Sequence, residues 1–276
     1  MAELSVHEAA TVDWSAVDRD VAEHGGAIVR GLFPVDVVER VAADIDAHLA
    51  NDAAVGLPDT GDAGYDRFLG HNTKRLHGLL NVAPASEEMI ADERVVGWAD
   101  RTITSGGMQL NAAEYIEIGP GEPAQFPHRD TDSWPALVEH DPIIVNAIVA
   151  IDETTLDNGA TWVAPGSHAW DRDRRVTDGE WARATLSPGD AVMFRGDVVH
   201  RGGANETDRR RRVVSLSYCA DWLRTVENNY LNVDRAQVAA ASPLVQRLLG
   251  YTPARSPSGG LIGLQHGEDP TTLLPG

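Results

Sequence analysis

The chain has 276 residues, of which 42% are hydrophobic and 24% are charged, a composition typical of a folded globular protein. Its net charge of −19, from 23 basic and 42 acidic residues, repels phosphate backbones and argues against general binding to nucleic acid. The single cysteine, Cys219, excludes an internal disulfide and favours a reducing compartment, and no uninterrupted apolar stretch approaches the length of a membrane span. We therefore expect a cytoplasmic protein with no membrane partner.

The first hundred residues have a helical pattern that is interrupted by one strand. Apolar residues recur at helical spacing over 17–22 and 37–49, and between them the glycine-bounded run 25–33 predicts a strand. Residues 51–75 are rich in Asp and Gly and predict a long loop, which is usually functional when it occurs inside a compact domain. Residues 84–101 predict a further helix.

After Gly106 and Gly107 the pattern changes to short strands separated by turn residues. Strands are predicted at 108–118, 142–151, 161–164, 191–194 and 213–218. A helix is predicted at 236–249, and the residues from 252 onward are expected to be irregular. This order predicts an α+β chain with a β-sandwich or barrel core. We expect one domain over 1–276, with a helical part at about 1–105, the core at about 106–222, and a C-terminal helix and tail at 223–276.

Two of the ten histidines stand in a pattern that suits a metal ion. His128 and Asp130 are two residues apart, so on an extended strand they point to the same face. His200 follows a strand-like run that ends near a Gly-Gly turn. Two imidazoles and one carboxylate on one side of a metal form the facial arrangement of non-haem Fe(II) oxygenases. The His-x-Asp pair alone favours an ordinary loop histidine, but His200 and the basic cluster after it favour the metal.

That basic cluster is a run of four arginines at 209–212, which leads into a predicted strand. Alternation places Arg211 on the face of Val213 and Ser215, whereas Arg212 lies on the opposite face. If the small-residue face lines the interior, Arg211 points inward and the other arginines point into water. A buried guanidinium needs an anionic partner, which the carboxylate of a 2-oxo acid would supply.

Several motifs together resemble one known family. They are His128-Arg129-Asp130, Asn158-Gly159-Ala160-Thr161, Pro165-Gly166-Ser167-His168, His200, and Arg211 eleven residues after it. This combination resembles the phytanoyl-CoA dioxygenase family of Fe(II)/2-oxoglutarate oxygenases. The segment 116–130 and Asn72-Thr73-Lys74-Arg75 are most similar to the branch with fungal alkaloid and meroterpenoid oxygenases such as verruculogen synthase. The resemblance implies a double-stranded β-helix core, jelly-roll or cupin-like, with flanking N-terminal helices.

The resemblance also implies a set of site residues. His128, Asp130 and His200 would be the catalytic metal ligands, with Fe(II) as cofactor and 2-oxoglutarate and O₂ as co-substrates. Arg211 would pair with the distal carboxylate of 2-oxoglutarate, and Gln125 and Thr161 would form hydrogen bonds to it. For the last two, the alternatives are a polar turn residue and a strand residue that only packs.

Three further residues are candidates for contact with the substrate. Trp134 follows the metal motif closely, with an ordinary core tryptophan as the alternative. Asn72 lies in the predicted 51–75 loop, with a turn asparagine as the alternative. Asn111 shares strand parity with Gln109 and Ala113, on the more polar face of its strand, which faces either the cavity or solvent.

The resemblance therefore implies a dioxygenase that oxidises an unactivated C–H bond of a small molecule, a secondary metabolite. The outcome would be hydroxylation, desaturation, or oxidative cyclisation or rearrangement. A zinc-dependent hydrolase and a non-catalytic metabolite-binding β-sandwich are the alternatives; Arg211 argues against the first, and the intact ligand set against the second. The sequence leaves open the substrate, the oxidised carbon and the oligomeric state, for which a homodimer is one option.

Overall fold

Helices occupy both ends of the chain and flank a β-rich centre. This computed structural model describes residues 2–50, 56–57, 59–104, 106–134, 142–255 and 258–274. Their α-helices are α1 Trp14–His24, α2 Val35–Leu49, α3 Ala63–Leu69, α4 Leu79–Val82, α5 Glu87–Ile90, α6 Glu93–Thr102, α7 Asn229–Asn232, α8 Arg235–Ala240 and α9 Pro243–Leu248. No helix within these ranges is long and apolar enough to cross a bilayer.

Two β-sheets form the centre of the molecule. The strands are β1 Ser5–Glu8, β2 Gly26–Arg30, β3 Thr73–Leu76, β4 Met108–Ile118, β5 Ile144–Ala150, β6 Thr161–Val163, β7 Ala182–Ala184, β8 Ala191–Arg195, β9 His200–Gly202, β10 Arg211–Ala220, β11 Ala254–Arg255 and β12 Leu261–Ile262. The larger sheet has the order β1-β2-β8-β5-β10-β4-β3 and the smaller β7-β6-β9, while β11 and β12 pair separately. Only β1 and β2 pair in parallel among the described strands.

The large sheet has one helix-facing side and one side that lines a cavity. On β5, Val145, Ala147 and Val149 join the core cluster that contains the buried residues of α1 and α2. Asn146 and Ile148 point the other way and line the cavity, because successive strand residues alternate between faces. The small sheet packs on this second side through a cluster that includes residues of β2, β6, β7 and β8. This architecture confirms the jelly-roll prediction with flanking helices.

The predicted loop at 51–75 is wrong over much of its length. Residues 63–69 form α3, capped by Asp62, whose carboxylate accepts hydrogen bonds from the amides of Gly64 and Tyr65. Residues 73–76 form β3, which pairs with β4 at the edge of the large sheet. Residues 51–55 and 58 lie outside the described residues. The pairing partner of β3 lies some forty residues along the chain, so local composition gives no sign of it.

Each of two predicted helices is divided into two shorter helices, and in both cases a capping side chain begins the second one. The region 84–101 contains α5 and α6, and the Asp92 side chain caps α6 by accepting from the amides of Arg94 and Val95. The region 236–249 contains α8 and α9, because Ser242 caps α9 and Pro243 occupies its first turn. The C-terminal residues described after 252 are also less irregular than expected, since they include the short pair β11–β12.

Candidate active site

His128, Asp130 and His200 meet at one end of the cavity. One ligand atom from each lies within 4.8 Å of the other two, which makes this the metal-capable cluster of the described residues. Asp130 Oδ1 is 3.9 Å from His128 Nε2 and 3.6 Å from His200 Nε2. Atoms that bind one metal at about 2.0–2.2 Å lie roughly 3 Å apart, so small side-chain movements bring the three onto one ion.

The backbone fixes which nitrogen of each histidine faces the cluster. His128 Nδ1 lies 3.1 Å from the carbonyl oxygen of Phe126, and His200 Nδ1 lies 3.0 Å from that of Val198. A carbonyl oxygen only accepts, so each Nδ1 carries the proton and each Nε2 keeps its lone pair for a metal. Burial and the neighbouring His200 also lower the pKa of His128, which favours the neutral imidazole that binds a metal.

The two histidines are held by strand pairing, whereas Asp130 begins a turn. His128 and His200 form a reciprocal β-bridge, with each amide donating to the other residue's carbonyl. Arg129 is extended, as the sequence predicted for this pair, but Asp130 begins the 3₁₀-helix Asp130–Ser133. The carboxylate therefore reaches the metal position from the first residue of a turn.

Arg211 points into the same cavity and is only 2% exposed. It donates through Nη2 to the carbonyl of Gly159, but its buried Nε has no hydrogen-bond partner among the described residues. Burial, with the positive charge of Arg75, lowers the pKa of Arg211 to about 10. Of the other arginines in the run, Arg209 and Arg210 are exposed as predicted. The prediction is wrong for Arg212, whose side chain is only 14% exposed and forms an ion pair with Asp152.

Arg75 on β3 is a second guanidinium in this cavity; the sequence analysis included it in the Asn72–Arg75 motif but gave it no role in the site. Its Nη1 donates to both carboxylate oxygens of Glu114 at 3.0 Å, and its Nε donates to the carbonyl of Leu69. Its positive charge also acts on Arg211 and on His128. Glu114 neutralises Arg75, whereas Arg211 makes no ion pair within the described residues, so the buried charge of Arg211 is the one that needs an anionic ligand.

Thr161 and Gln125 flank the metal-ligand strand β9. Thr161 lines the cavity, and its hydroxyl makes no hydrogen bond within the described part of the chain. The side-chain amide of Gln125 is instead hydrogen-bonded within the protein. Its Oε1 accepts from the amide of Gly202 at 2.9 Å, and its Nε2 donates to the carbonyl of Phe68 at 3.2 Å. Gln125 thus connects α3 to β9, and its role towards a ligand stays a prediction.

The cavity is large enough for a drug-sized molecule. Its volume of about 790 Å³ lies within the usual range of ligand pockets. Its aromatic lining residues are Tyr65, Phe68, Phe126, Trp134 and Phe194. Phe68 packs edge-on against the His128 ring at 4.8 Å and against Phe126 at 4.9 Å. These five residues form an aromatic wall next to the metal position. Of the five, the sequence analysis had named only Trp134 as a candidate for contact with the substrate.

A β-bulge changes the expected orientation of β4. Ser217 pairs with Ala112 and Tyr218 pairs with Leu110, so Asn111 is an extra residue without a partner on β10. Asn111, Ala112 and Glu114 consequently line the cavity, whereas Ala113 lies in the core on the helix side. The predicted common face of Asn111 and Ala113 is therefore wrong, although Asn111 does face the cavity.

Asn111 and Asn72 both use their side chains to fasten the protein. Asn111 donates to Ser217 Oγ at 3.0 Å and accepts from the amide of Val226 at 2.8 Å, which ties the segment before α7 to the sheet. Asn72 donates to the carbonyl of Pro120 and lies outside the residues that line the cavity. The structure thus brings Asn111 and Trp134, but not Asn72, to the metal cavity.

A histidine between two carboxylates also lines the cavity. His77 Nδ1 is 3.8 Å from the buried Glu227 and its Nε2 is 3.5 Å from Glu114. Glu227 also accepts from the amides of Gly78 and Ala113, so it fastens the end of β3 to β4. The interaction with Glu227 raises the pKa of His77, and burial opposes this increase.

We expect His77→Asn to lower stability only at low pH. A raised pKa stabilises the fold fully below the unfolded value near 6.5, and this contribution is lost as pH rises through the folded pKa. Because the side chain is 41% exposed, the loss at pH 6 should not exceed about 1 kcal/mol. Urea unfolding of both proteins at pH 6 and pH 9 measures it; an equal deficit at both values would contradict the assignment.

The sequence as a whole is similar to one enzyme family and its relatives. The family model described as phytanoyl-CoA dioxygenase matches residues 21–213. The iron/alpha-ketoglutarate-dependent dioxygenase penM of Penicillium thymicola is 31% identical over 263 residues, covering 92% of this chain and 83% of penM. The dioxygenase FrzG of a Cladobotryum species is 33% identical over 252 residues, covering 82% of this chain and 81% of FrzG.

Two solved structures share the fold at low sequence identity. The non-haem alpha-ketoglutarate-dependent epimerase SnoN from nogalamycin biosynthesis superposes with a TM-score of 0.61 at 20% identity, covering 75% of this chain and 81% of SnoN. The carbocyclase SnoK from the same biosynthesis superposes with a TM-score of 0.62 at 15% identity, covering 84% of this chain and 93% of SnoK.

Proposed function

Because the chain belongs to the phytanoyl-CoA dioxygenase family, we propose that its cavity oxidises an unactivated C–H bond of a small secondary metabolite. The chain is an Fe(II)/2-oxoglutarate-dependent dioxygenase, as its curated relatives are named for iron and alpha-ketoglutarate or for dioxygenase activity. The outcome at the carbon is hydroxylation, desaturation, or oxidative cyclisation or rearrangement.

One observation carries this proposal: a two-histidine, one-carboxylate cluster and an unpaired buried guanidinium share a single cavity. His128, Asp130 and His200 would hold Fe(II), because both Nε2 atoms and Asp130 Oδ1 already converge. Bound Fe(II) with 2-oxoglutarate would supply the oxidant, since decarboxylation to succinate and CO₂ provides electrons that reduce O₂.

The chain's own groups would seat and orient the co-substrate. Arg211 binds the distal carboxylate in a region from which water is excluded, where a charge-assisted hydrogen bond is strong. The Thr161 hydroxyl, which lines the same cavity, offers a hydrogen bond. Gln125 holds α3 against β9 beside this site. A zinc hydrolase has no general need for a buried guanidinium such as Arg211, which would anchor a 2-oxo acid.

The aromatic wall supports a small organic substrate. Phe68 and Phe126 present ring faces and edges beside His128, and Trp134 lies on the same cavity. Such side chains bind apolar and ring-containing molecules over a large contact area. The structural neighbours SnoN and SnoK are enzymes of nogalamycin biosynthesis, which agrees with a substrate from secondary metabolism.

The function can be tested before the substrate is identified. Anaerobic addition of Fe(II) and 2-oxoglutarate to the metal-free protein should produce a weak visible charge-transfer band. Incubation of the loaded enzyme with a metabolite extract in air should then release succinate, with one product mass changed by one added oxygen or two lost hydrogens. A colourless protein that releases no succinate with any metabolite pool would contradict the proposal.

A further inference from the structure

A buried amide holds one oxygen of the metal-binding carboxylate. Asn146 on β5 is 5% exposed, and its Nδ2 donates to Asp130 Oδ2 at 2.7 Å. It is the single polar residue of the apolar run 143–151. Burying an amide costs free energy unless it finds a partner, and here the partner is a candidate metal ligand.

The two oxygens of Asp130 therefore have different surroundings. Oδ2 accepts from Asn146, whereas Oδ1 is the oxygen that lies 3.6 and 3.9 Å from the two Nε2 atoms. The contact with Asn146 is also the one side-chain hydrogen bond that the Asp130 carboxylate makes within the described residues.

Asn146 is well placed to act as a fixed donor. It stands on a strand in the middle of the large sheet, in register with Ser217 on β10 and Phe194 on β8. Asp130, in contrast, starts a 3₁₀ turn and lacks the β-bridge that joins the two histidines. A donor on a rigid strand can hold a ligand that its own loop would leave free to rotate.

We propose that Asn146 is a positioning residue that keeps Asp130 monodentate, with Oδ1 alone available to the metal. This inference rests on the proposed ferrous site. Six positions surround an octahedral ion, and three protein atoms leave three for 2-oxoglutarate and O₂. If Oδ2 also bound, one of these open positions would be lost. Asn146 thus protects the open side of the site by occupying the second oxygen.

The test is the affinity for Fe(II) alone, measured anaerobically on the metal-free protein by equilibrium titration. Asn146→Leu keeps a similar volume but removes the donor, and we expect Fe(II) to bind about 10- to 100-fold more weakly, as is usual when the partner of a ligand is lost. In the presence of 2-oxoglutarate, the visible band should shift in position and weaken, because the carboxylate can rotate. A purely structural asparagine would not move that band.

A matched control separates this effect from the general loss of a buried amide. Asn229 on α7 is 3% exposed, donates to the carbonyl of Leu110 at 2.8 Å and lies outside the cavity. Asn229→Leu should alter thermal stability but leave the Fe(II) affinity and the band unchanged. If Asn146→Leu does not fold, Asn146→Ala provides the same measurement with a smaller side chain.

The outcomes distinguish this inference from the proposed function. If the unmodified protein binds Fe(II) and forms the band, but a folded Asn146 variant changes the affinity less than twofold with an unshifted band, the positioning role is refuted and the oxygenase site stands. If the unmodified protein itself forms no ferrous complex, the proposed function fails, and this inference fails with it. An equal loss of affinity in Asn229→Leu would also refute a specific role for Asn146.

Discussion

Asp130→Ala should reduce Fe(II) affinity by more than about 100-fold and succinate release to the background level. The expected loss exceeds the 10- to 100-fold cost of removing only the partner of a ligand, because here the ligand itself is removed. The variant retains both imidazoles, held by their β-bridge and their backbone contacts. Two neutral nitrogen ligands remain, and they lack the negative charge that favours a divalent cation.

The control for this change is an exposed aspartate that lies outside the cavity. Asp36 on α2 pairs with Arg40 on the same helix and is not among the residues that line the cavity. Asp36→Ala should retain Fe(II) binding and the visible band, and should cost stability no more than the roughly 0–1 kcal/mol of an exposed ion pair. Retention of Fe(II) binding by Asp130→Ala, or its loss in both variants, would contradict the assignment of Asp130 as the metal carboxylate.

The metal-ligand residues were visible in the sequence because their chemistry is local. A histidine and a carboxylate two apart reach one face through strand geometry alone, and Arg129 is indeed extended between them. The alternation that turns Arg211 inward likewise needs only an uninterrupted strand, which β10 provides from Arg211 to Ser217. Apolar runs also gave the central strands to within a few residues, since hydrophobic patterning reflects burial.

The structural features that the sequence analysis did not predict depend on contacts between residues that are distant along the chain. β3 is held in place by its pairing with β4 and by Glu227, which accepts a hydrogen bond from the amide of Gly78 just after the strand. The bulge at Asn111 reverses strand parity, and its register is set by β10 more than a hundred residues later. Asn146 did leave a local signal, because a lone amide in an apolar strand has to find a buried partner.

Arg211→Met should abolish tight binding of 2-oxoglutarate and at the same time stabilise the ligand-free protein. Two charge-assisted hydrogen bonds to a carboxylate are worth about 1.5–3 kcal/mol each, so we expect the Kd to rise at least about 100-fold. Titration of the anaerobic Fe(II) protein with 2-oxoglutarate measures this change through the visible band. Fe(II) binding without 2-oxoglutarate should persist, since Arg211 is not one of the three converging ligands.

The gain in stability follows from the cost of burying a charge. Burial is the main reason that the pKa of Arg211 falls to about 10, so the charged form is less favourable in the folded protein than in water. This penalty is fully present below that pKa and amounts to roughly 3 kcal/mol for a shift of this size. Methionine fills a similar volume without charge, and the melting temperature of the ligand-free variant should rise at pH 7.

Arg210→Met is the control for both effects. Arg210 is the exposed neighbour in the run, and it pairs with Asp46 and Glu117 on the outer side of the sheet. Its replacement should leave the Kd for 2-oxoglutarate unchanged and should not raise the melting temperature. An Arg211→Met protein that binds 2-oxoglutarate within threefold of the unmodified affinity would mean that the buried guanidinium serves packing rather than the co-substrate. If the variant binds 2-oxoglutarate weakly but melts at a lower temperature, the main contribution of Arg211 to stability is its hydrogen bond to the carbonyl of Gly159.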